Sequence, residues 1–273
     1  MHTEPTEITP ADPDCIRIVQ LTDTHILPAD HRQFKGLDTA QTLAQVIAAI
    51  NADADRPDLI LATGDLVHEP LPEVYTRLRA ILQQAHYPVF CLPGNHDIPE
   101  LMEGALNSGR LSTARLLGCG DWRLILLSTV VVGSEQGYLS DDELRFLEAQ
   151  LQAGGATHLL IALHHPPVDV GSPWMDAMKV SNGAEFLAII RRYPQVRCVL
   201  WGHIHQEFSL RLGTIQLIGS PSTCIQFKPR TPQFEKDVLP PAYRKLTLYR
   251  DGQITTSLHW LEQPLAHDSV SWD

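Results

Sequence analysis

Short apolar runs, each breaking on a cluster of ligand-type residues, organise this chain. Residues 16–21 end in Thr22-Asp23-Thr24-His25, residues 59–62 in Thr63-Gly64-Asp65 and residues 88–92 in Pro93-Gly94-Asn95-His96-Asp97. Further on, residues 159–163 end in His164-His165 and residues 198–201 in Gly202-His203-Ile204-His205. Each run has the length and aliphatic content of a buried strand. Helical spacing lies between them: Leu43, Val46, Ile47 and Ile50 predict a helix from about residue 38 to just before Pro57, and Val74, Leu78, Ile81 and Leu82 predict one over 73–84. Ser140 and Glu143 form a capping box for a helix over 140–152, and a last helix is expected over 184–192. Strand, helix, strand is the pattern of βαβ units. Open α/β sheets place their sites at the carboxyl ends of the strands, so five separate segments would bring Asp, Asn and His to one place.

The pattern is weaker elsewhere. Gly104, Gly109, Gly118 and Gly120 interrupt any period over 98–120, which reads as helical turns and loop lying over the site. Strand character returns over 122–132, and 208–212, 214–218, 243–248 and 254–260 read as antiparallel strands, with Asp251-Gly252 as a hairpin turn. No linker divides the chain, so one catalytic domain is expected over 15–262, with flexible tails at 1–14 and 263–273.

Composition narrows the function. Of 273 residues, 21 are Lys or Arg and 32 are Asp or Glu, a formal net charge of −11 that argues against general nucleic-acid or anionic-membrane binding. A small anionic substrate would need cations supplied at the site itself. Residues 1–14 have no apolar core of a secretory signal, and the longest apolar stretch, around 124–133, is too short and interrupted to span a bilayer. The chain therefore reads as cytoplasmic, monomeric or homodimeric. Cys15, Cys91, Cys119, Cys198 and Cys224 form no CxxC pair and sit mostly in apolar runs, which predicts buried reduced thiols.

Asp and His offer hard oxygen and borderline nitrogen donors, and with no Cys in the set they favour iron, manganese, zinc or cobalt. One Asp-x-His or Gly-Asp alone signals nothing; the ordered set is specific. Asp23-Thr24-His25, Gly64-Asp65, Gly94-Asn95-His96-Asp97, His164 and Gly202-His203-Ile204-His205 together resemble the five motifs of the calcineurin-like metallophosphoesterases. The likeness runs from about residue 16 to 262. Pro221-Ser222-Thr223-Cys224-Ile225-Gln226-Phe227-Lys228-Pro229, outside the metal motifs, is similar to the bacterial 3′,5′-cyclic AMP phosphodiesterase branch.

The resemblance implies a four-layer α/β/β/α sandwich, two mixed sheets flanked by helices, with two metal ions between the sheets, most simply iron with manganese or a second divalent ion. By motif, Asp23, His25 and His205 would bind one ion, Asn95, His164 and His203 the other, and Asp65 would bridge them. The family's His-x-Pro setting matches His164-His165-Pro166 and so His164, with the adjacent His165 as the alternative ligand. Two divalent ions less two carboxylates and a bridging hydroxide leave +1, which suits a phosphodiester monoanion. The implied reaction is hydrolysis of 3′,5′-cyclic AMP to 5′-AMP. His96 would protonate the leaving oxygen or bind the phosphoryl group, and His25, Asn95 and His165 would join it in facing the substrate. Asp97 would either orient His96 or merely cap a helix.

Other readings remain at this stage. The metal motifs fit phosphodiesterases of 2′,3′-cyclic nucleotides or glycerophosphodiesters equally, and a non-catalytic nucleotide sensor could keep the fold, although every motif position is filled. His2, His31, His68, His86, His158, His259 and His267 lie outside the motifs and read as surface or packing residues, with His68 near enough to Asp65 to line the mouth. Trp174, Met175, Met178, Phe227, Lys228 and Arg230 are candidates for reading the base.

Overall fold

The computed structural model describes residues 4–29 and 33–262; His2, His31, His267 and the expected tail 263–273 lie outside them. From the amino end the chain forms β1 (Thr6–Glu7), β2 (Cys15–Leu21), α1 (Thr39–Ala52), β3 (Leu59–Thr63), α2 (Pro72–Leu82), β4 (Val89–Leu92), α3 (Pro99–Ala105) and β5 (Leu111–Ser112). The second half adds β6 (Leu116–Cys119), β7 (Trp122–Leu126), α4 (Asp141–Gln152), β8 (His158–Ala162), α5 (Pro173–Asp176), α6 (Gly183–Ile190) and β9 (Val196–Trp201). Four strands close the chain: β10 (Phe208–Leu212), β11 (Ile215–Gly219), β12 (Ala242–Tyr249) and β13 (Ile254–Trp260).

Two mixed sheets result, one ordered β13-β12-β2-β3-β4-β5 and the other β1-β6-β7-β8-β9-β11-β10. Their central strands β2, β3, β4, β8 and β9 are buried on both faces because each face meets another layer. In β2 and β3, Val19, Leu21, Ile60 and Ala62 pack with Leu43, Val46, Ile47 and Ile50 of α1. The alternate residues Ile16, Ile18, Leu59 and Leu61 meet Leu124, Leu126, Leu160 and Leu200 of the other sheet. On the far side, Ile125, Ile161 and Val199 pack against Leu144, Leu147 and Phe186 of α4 and α6. The layers therefore run helix, sheet, sheet, helix, as expected.

One polar seam crosses between the sheets close to the strand ends. Arg244, buried at 3% exposure, donates from Nε to Ser220 Oγ; Ser220 Oγ donates to Gln20 Oε1, and Gln20 Nε2 donates to Thr63 Oγ1. Uncompensated buried polar atoms are costly, so this chain of bonds fixes how the two sheets meet beneath the site.

Several local expectations change. Part of the expected flexible arm is docked, because Thr6 and Glu7 pair in parallel with Leu117 and Gly118. A Cβ on Gly118 would lie 2.4 Å from Glu7 Oε1, and the exposed carboxylate could swing aside to admit it. The weak stretch 98–120 contains α3, β5 and β6, which extend both sheets. The strand expected over 122–132 stops at Leu126, where the Glu143 carboxylate accepts from Ser128 N–H at 3.1 Å and the chain leaves the sheet, leaving Val132 exposed. The last four strands divide between the sheets: β11 pairs in parallel with β9, whereas β12 pairs antiparallel with β2.

Candidate metal centre and active site

The ligand segments follow β2, β3 and β4 in one sheet and β8 and β9 in the other. Their backbone is strained where the ligands stand. Asp23 (φ 55°), His25 (42°), Asp65 (49°), His203 (65°) and His205 (45°) all occupy the left-handed region, at a cost of roughly 1–3 kcal/mol each for a residue with a Cβ. Hydrogen bonds between loops hold them there: Asp23 N–H donates to the Gly64 carbonyl at 3.0 Å, His25 N–H to the Asp65 carbonyl at 2.9 Å, and His203 N–H to Asp23 Oδ1 at 3.1 Å. Two glycines allow the loops to meet. A Cβ on Gly94 would stand 2.3 Å from Asp65 Oδ1, and one on Gly64 would stand 2.4 Å from His164 Nδ1.

The predicted ligands converge into two groups. In the first, His25 Nε2 and His205 Nε2 are 3.3 Å apart, His205 Nε2 is 3.3 Å from Asp23 Oδ1, and His25 Nε2 is 3.7 Å from Asp65 Oδ2. In the second, His164 Nε2 lies 3.3 Å from the same Asp65 Oδ2 and 3.3 Å from His203 Nδ1. Nitrogens bound to one ion at 2.0–2.1 Å stand about 3.3–3.4 Å apart in a tetrahedron, so these spacings fit a metal. Backbone carbonyls turn two of the rings: Thr63 O engages His164 Nδ1 at 2.9 Å and Ile225 O engages His205 Nδ1 at 2.7 Å, each leaving Nε2 for the cluster. Asn95 Oδ1 is buried with no hydrogen-bond partner, as an oxygen reserved for a cation would be.

Electrostatics agree. Burial holds His25 and His203 well below the usual histidine range, in the neutral form that binds metals. Burial also works against a proton on His164 and His205, yet Asp65 pushes the first up to about 9 and Asp23 pushes the second well above its ordinary value. The two carboxylates thus demand positive charge, which divalent ions would supply.

His96 stands beside these groups, its ring 4.9 Å from that of His25 and half-buried, and its Nδ1 lies 3.0 Å from the His68 carbonyl. Two expectations need correction. His165 was expected to face substrate, but it is fully buried and uses both ring nitrogens, Nδ1 with Thr129 Oγ1 at 2.7 Å and Nε2 with the Glu135 carbonyl at 3.2 Å. Burial and the neighbouring His164 push it down to about 3, so it backs His203 as a neutral ring.

Asp97 neither orients His96 nor caps a helix, since the N-cap of α3 is Ile98. Its carboxylate accepts from Gly94 N–H (2.9 Å), Leu66 N–H (3.1 Å), Val67 N–H (3.4 Å) and Tyr75 Oη (3.0 Å), so it ties the Asp65 loop to the Asn95 loop. Burial and the nearby Asp65 push it up to about 6.

His68, outside the five motifs, lies against the site. Its Nδ1 lies 3.4 Å from His25 Nδ1 and its ring stacks on His96 at 4.9 Å. Cys224 was read as a plain buried thiol, yet its sulfur is within 4.8 Å of donor atoms of His25 and His205. Trp174, Met178 and Phe227 pack against the helix-flanked core, where Trp174 meets Phe227 and Phe227 lies on His205.

A family profile described as calcineurin-like phosphoesterase matches residues 16–207, which include every predicted ligand. The chain belongs to the calcineurin-like phosphoesterases. It is 39% identical over 250 residues to the 3′,5′-cyclic adenosine monophosphate phosphodiesterase CpdA of Pseudomonas aeruginosa, covering 92% of each chain. It is also 39% identical over 243 residues to a 3′,5′-cyclic-nucleotide phosphodiesterase of Nostoc, covering 89% of this chain and 91% of that one. A dimetal phosphatase of Danio rerio shares the calcineurin-like fold, with a TM-score of 0.59 at 15% identity over 88% of this chain and 98% of that one. This calcineurin-like phosphoesterase is built on two mixed sheets flanked by helices. Among its described residues, no helix is long and apolar enough to cross a membrane.

Proposed function

We propose that this protein hydrolyses 3′,5′-cyclic AMP to 5′-AMP with two bound metal ions. The observation that carries this reading is the Asp65 carboxylate: its Oδ2 lies 3.7 Å from His25 Nε2 in one cluster and 3.3 Å from His164 Nε2 in the other, as a residue shared by two ions must. Asp23, His25 and His205 would hold one ion, Asn95, His164 and His203 the second, and Asp65 both. The imidazole and oxygen donors suit iron paired with manganese, or another combination of iron, manganese, zinc and cobalt. Such ions supply Lewis acidity, drawing phosphoryl charge and acidifying water towards neutrality. Likeness over 92% and 89% of this chain to two 3′,5′-cyclic-nucleotide phosphodiesterases supports the substrate.

The chain's own residues complete the chemistry. The His68 carbonyl accepts a proton held on His96 Nδ1, which fixes the tautomer and leaves Nε2 as the atom that exchanges a proton with substrate. A water oxygen bonds to phosphorus and gives up a proton to solvent as the P–O3′ bond breaks, and His96 Nε2 delivers a proton to the departing 3′ oxygen. The strained, hydrogen-bonded loops keep the acid and the ligands in place before substrate arrives, which is where positioning contributes most. Five unpaired buried cysteines support action in the reducing cytoplasm.

Two measurements test this. Protein stripped with chelator and reloaded with each metal should regain activity, and Asp65→Ala should lose metal by elemental analysis. Values of kcat/KM compared for 3′,5′-cAMP, 3′,5′-cGMP, 2′,3′-cAMP and a glycerophosphodiester decide the substrate. Tenfold better turnover of 2′,3′-cAMP or the glycerophosphodiester, about 1.4 kcal/mol in transition-state binding, would overturn the assignment.

A further inference from the structure

Outside the ligand clusters the walls of the site are aromatic. Phe34 stacks on the His25 ring at 5.4 Å and leans on His68 at 4.6 Å. Phe227 lies flat on the His205 ring, with 3.9 Å between centroids and 3° between planes. Because His25 and His205 meet through their Nε2 atoms at 3.3 Å, the two phenylalanines flank the same cluster.

The segments that bear these rings are tied together. Phe227 forms a β-bridge with Lys236, Lys236 Nζ donates to the Lys35 carbonyl at 2.8 Å, and Lys35 Nζ stands 5.3 Å from the centre of the Phe234 ring. Phe234 meets Phe227 edge-on at 5.3 Å and Trp174 at 5.7 Å, yet 43% of it remains exposed. Phe234 is thus a ring positioned by two aromatic neighbours with part of its surface open to solvent.

We propose that Phe34, Phe227 and Phe234 wall a nucleobase subsite beside the Asp23, His25 and His205 cluster, with Phe234 as its exposed stacking face. The inference rests on the phosphodiesterase reading for where the phosphate sits, and not for the aromatic wall. A base has a flat π-face that stacks on such rings whatever its identity, worth about 5- to 150-fold in binding per ring. Its ring nitrogens are acceptors, and the Lys35 ammonium at the rim is a donor for them. An alkyl or glycerol group would use neither feature.

The test is calorimetric binding of 5′-AMP and ribose 5-phosphate to metal-loaded protein, a pair that differs only in the base. Wild type should bind 5′-AMP at least tenfold more tightly. Phe234→Ala, whose ring contacts are to Phe227, Trp174 and Lys35 rather than to a proposed ligand, should cut the ratio below threefold. Its affinity for ribose 5-phosphate and its metal content should stay unchanged, and Phe234→Tyr should keep the full ratio. Equal binding of the two ligands by wild type, or an undiminished ratio in Phe234→Ala, overturns the subsite. The two proposals fail separately: a protein that prefers 5′-AMP through Phe234 but does not hydrolyse 3′,5′-cAMP refutes the activity and keeps the subsite, and the opposite result refutes the subsite alone.

Discussion

Asp97 offers a sharp test of how the site is held together. Its side chain is 3% exposed and accepts three short hydrogen bonds, from Gly94 N–H at 2.9 Å, Tyr75 Oη at 3.0 Å and Leu66 N–H at 3.1 Å, besides a longer one from Val67. Asp97→Ala strands the three donors in the interior. At about 1–2 kcal/mol each the loss is roughly 3–6 kcal/mol, a large share of the roughly 5–15 kcal/mol that holds a typical domain. Asp97→Asn keeps one acceptor oxygen but turns an NH2 towards backbone donors, a loss of roughly 1–3 kcal/mol. Tyr75→Phe removes one donor and also strands Ile98 N–H, which donates to Tyr75 Oη at 3.0 Å, so it should cost about 1–2 kcal/mol.

Urea denaturation at saturating metal should therefore rank wild type above Tyr75→Phe, and Asp97→Ala last. Because the tie joins the Asp65 and Asn95 loops, the Asp97 variants should also lose metal at a lower chelator concentration. A residue that only oriented His96 would behave differently. If Asp97→Asn kept the wild-type midpoint and metal content while kcat fell a hundredfold, the structural role assigned here would be refuted and Asp97 would return to the chemistry.

Three further outcomes follow from the geometry. Gly94→Ala places a Cβ 2.3 Å from Asp65 Oδ1 and Asp65 N, so the loops must part and metal content by elemental analysis should fall sharply. His96→Ala should retain both ions while kcat on 3′,5′-cAMP falls roughly 10²–10⁴-fold, with a smaller loss on a p-nitrophenyl diester whose leaving group needs no proton. His165 has a folded pKa pushed down to about 3 from an ordinary 6.5; its contribution is complete above pH 6.5 and is lost as pH falls towards 3, because only the unfolded chain takes the proton. The slope approaches about 1.4 kcal/mol per pH unit once the unfolded imidazole is fully protonated, so between pH 5.5 and 4.5 wild type should lose about 1.3 kcal/mol more stability than His165→Asn in urea titrations.

The ligands were legible because each lies a fixed, short distance beyond an apolar strand. Asp23 and His25 follow β2, Asp65 follows β3, and His203 and His205 follow β9, so reading the strands placed their side chains at one end of the sheets. Strand partnership was not legible in the same way. Nothing in residues 208–260 distinguishes β11, which joins β9, from β12, which joins β2, because both are short apolar runs after turns and the choice depends on which open sheet edge each meets. Likewise nothing in the polar run 4–14 marks Thr6 and Glu7 as the residues that pair with Leu117 and Gly118.

Side-chain direction marks the other limit, and Asp97 and His165 show it together. Both belong to ligand-bearing segments and sit next to functional residues, so proximity along the chain suggested a chemical role for each. Neighbouring residues in a turn, however, project in different directions. The same loop that presents His96 at the half-buried mouth turns Asp97 inwards onto the amides of Leu66, Val67 and Gly94. The turn that aims His164 Nε2 at Asp65 buries His165 between Thr129 and the Glu135 carbonyl. Which neighbour meets substrate and which secures the loop is decided by the groups waiting on the other side of the backbone. Most of those groups lie far off in the chain: Leu66 and Val67 stand 30 or more residues from Asp97, and Thr129 and Glu135 stand as far from His165, whereas Gly94 belongs to the same turn as Asp97.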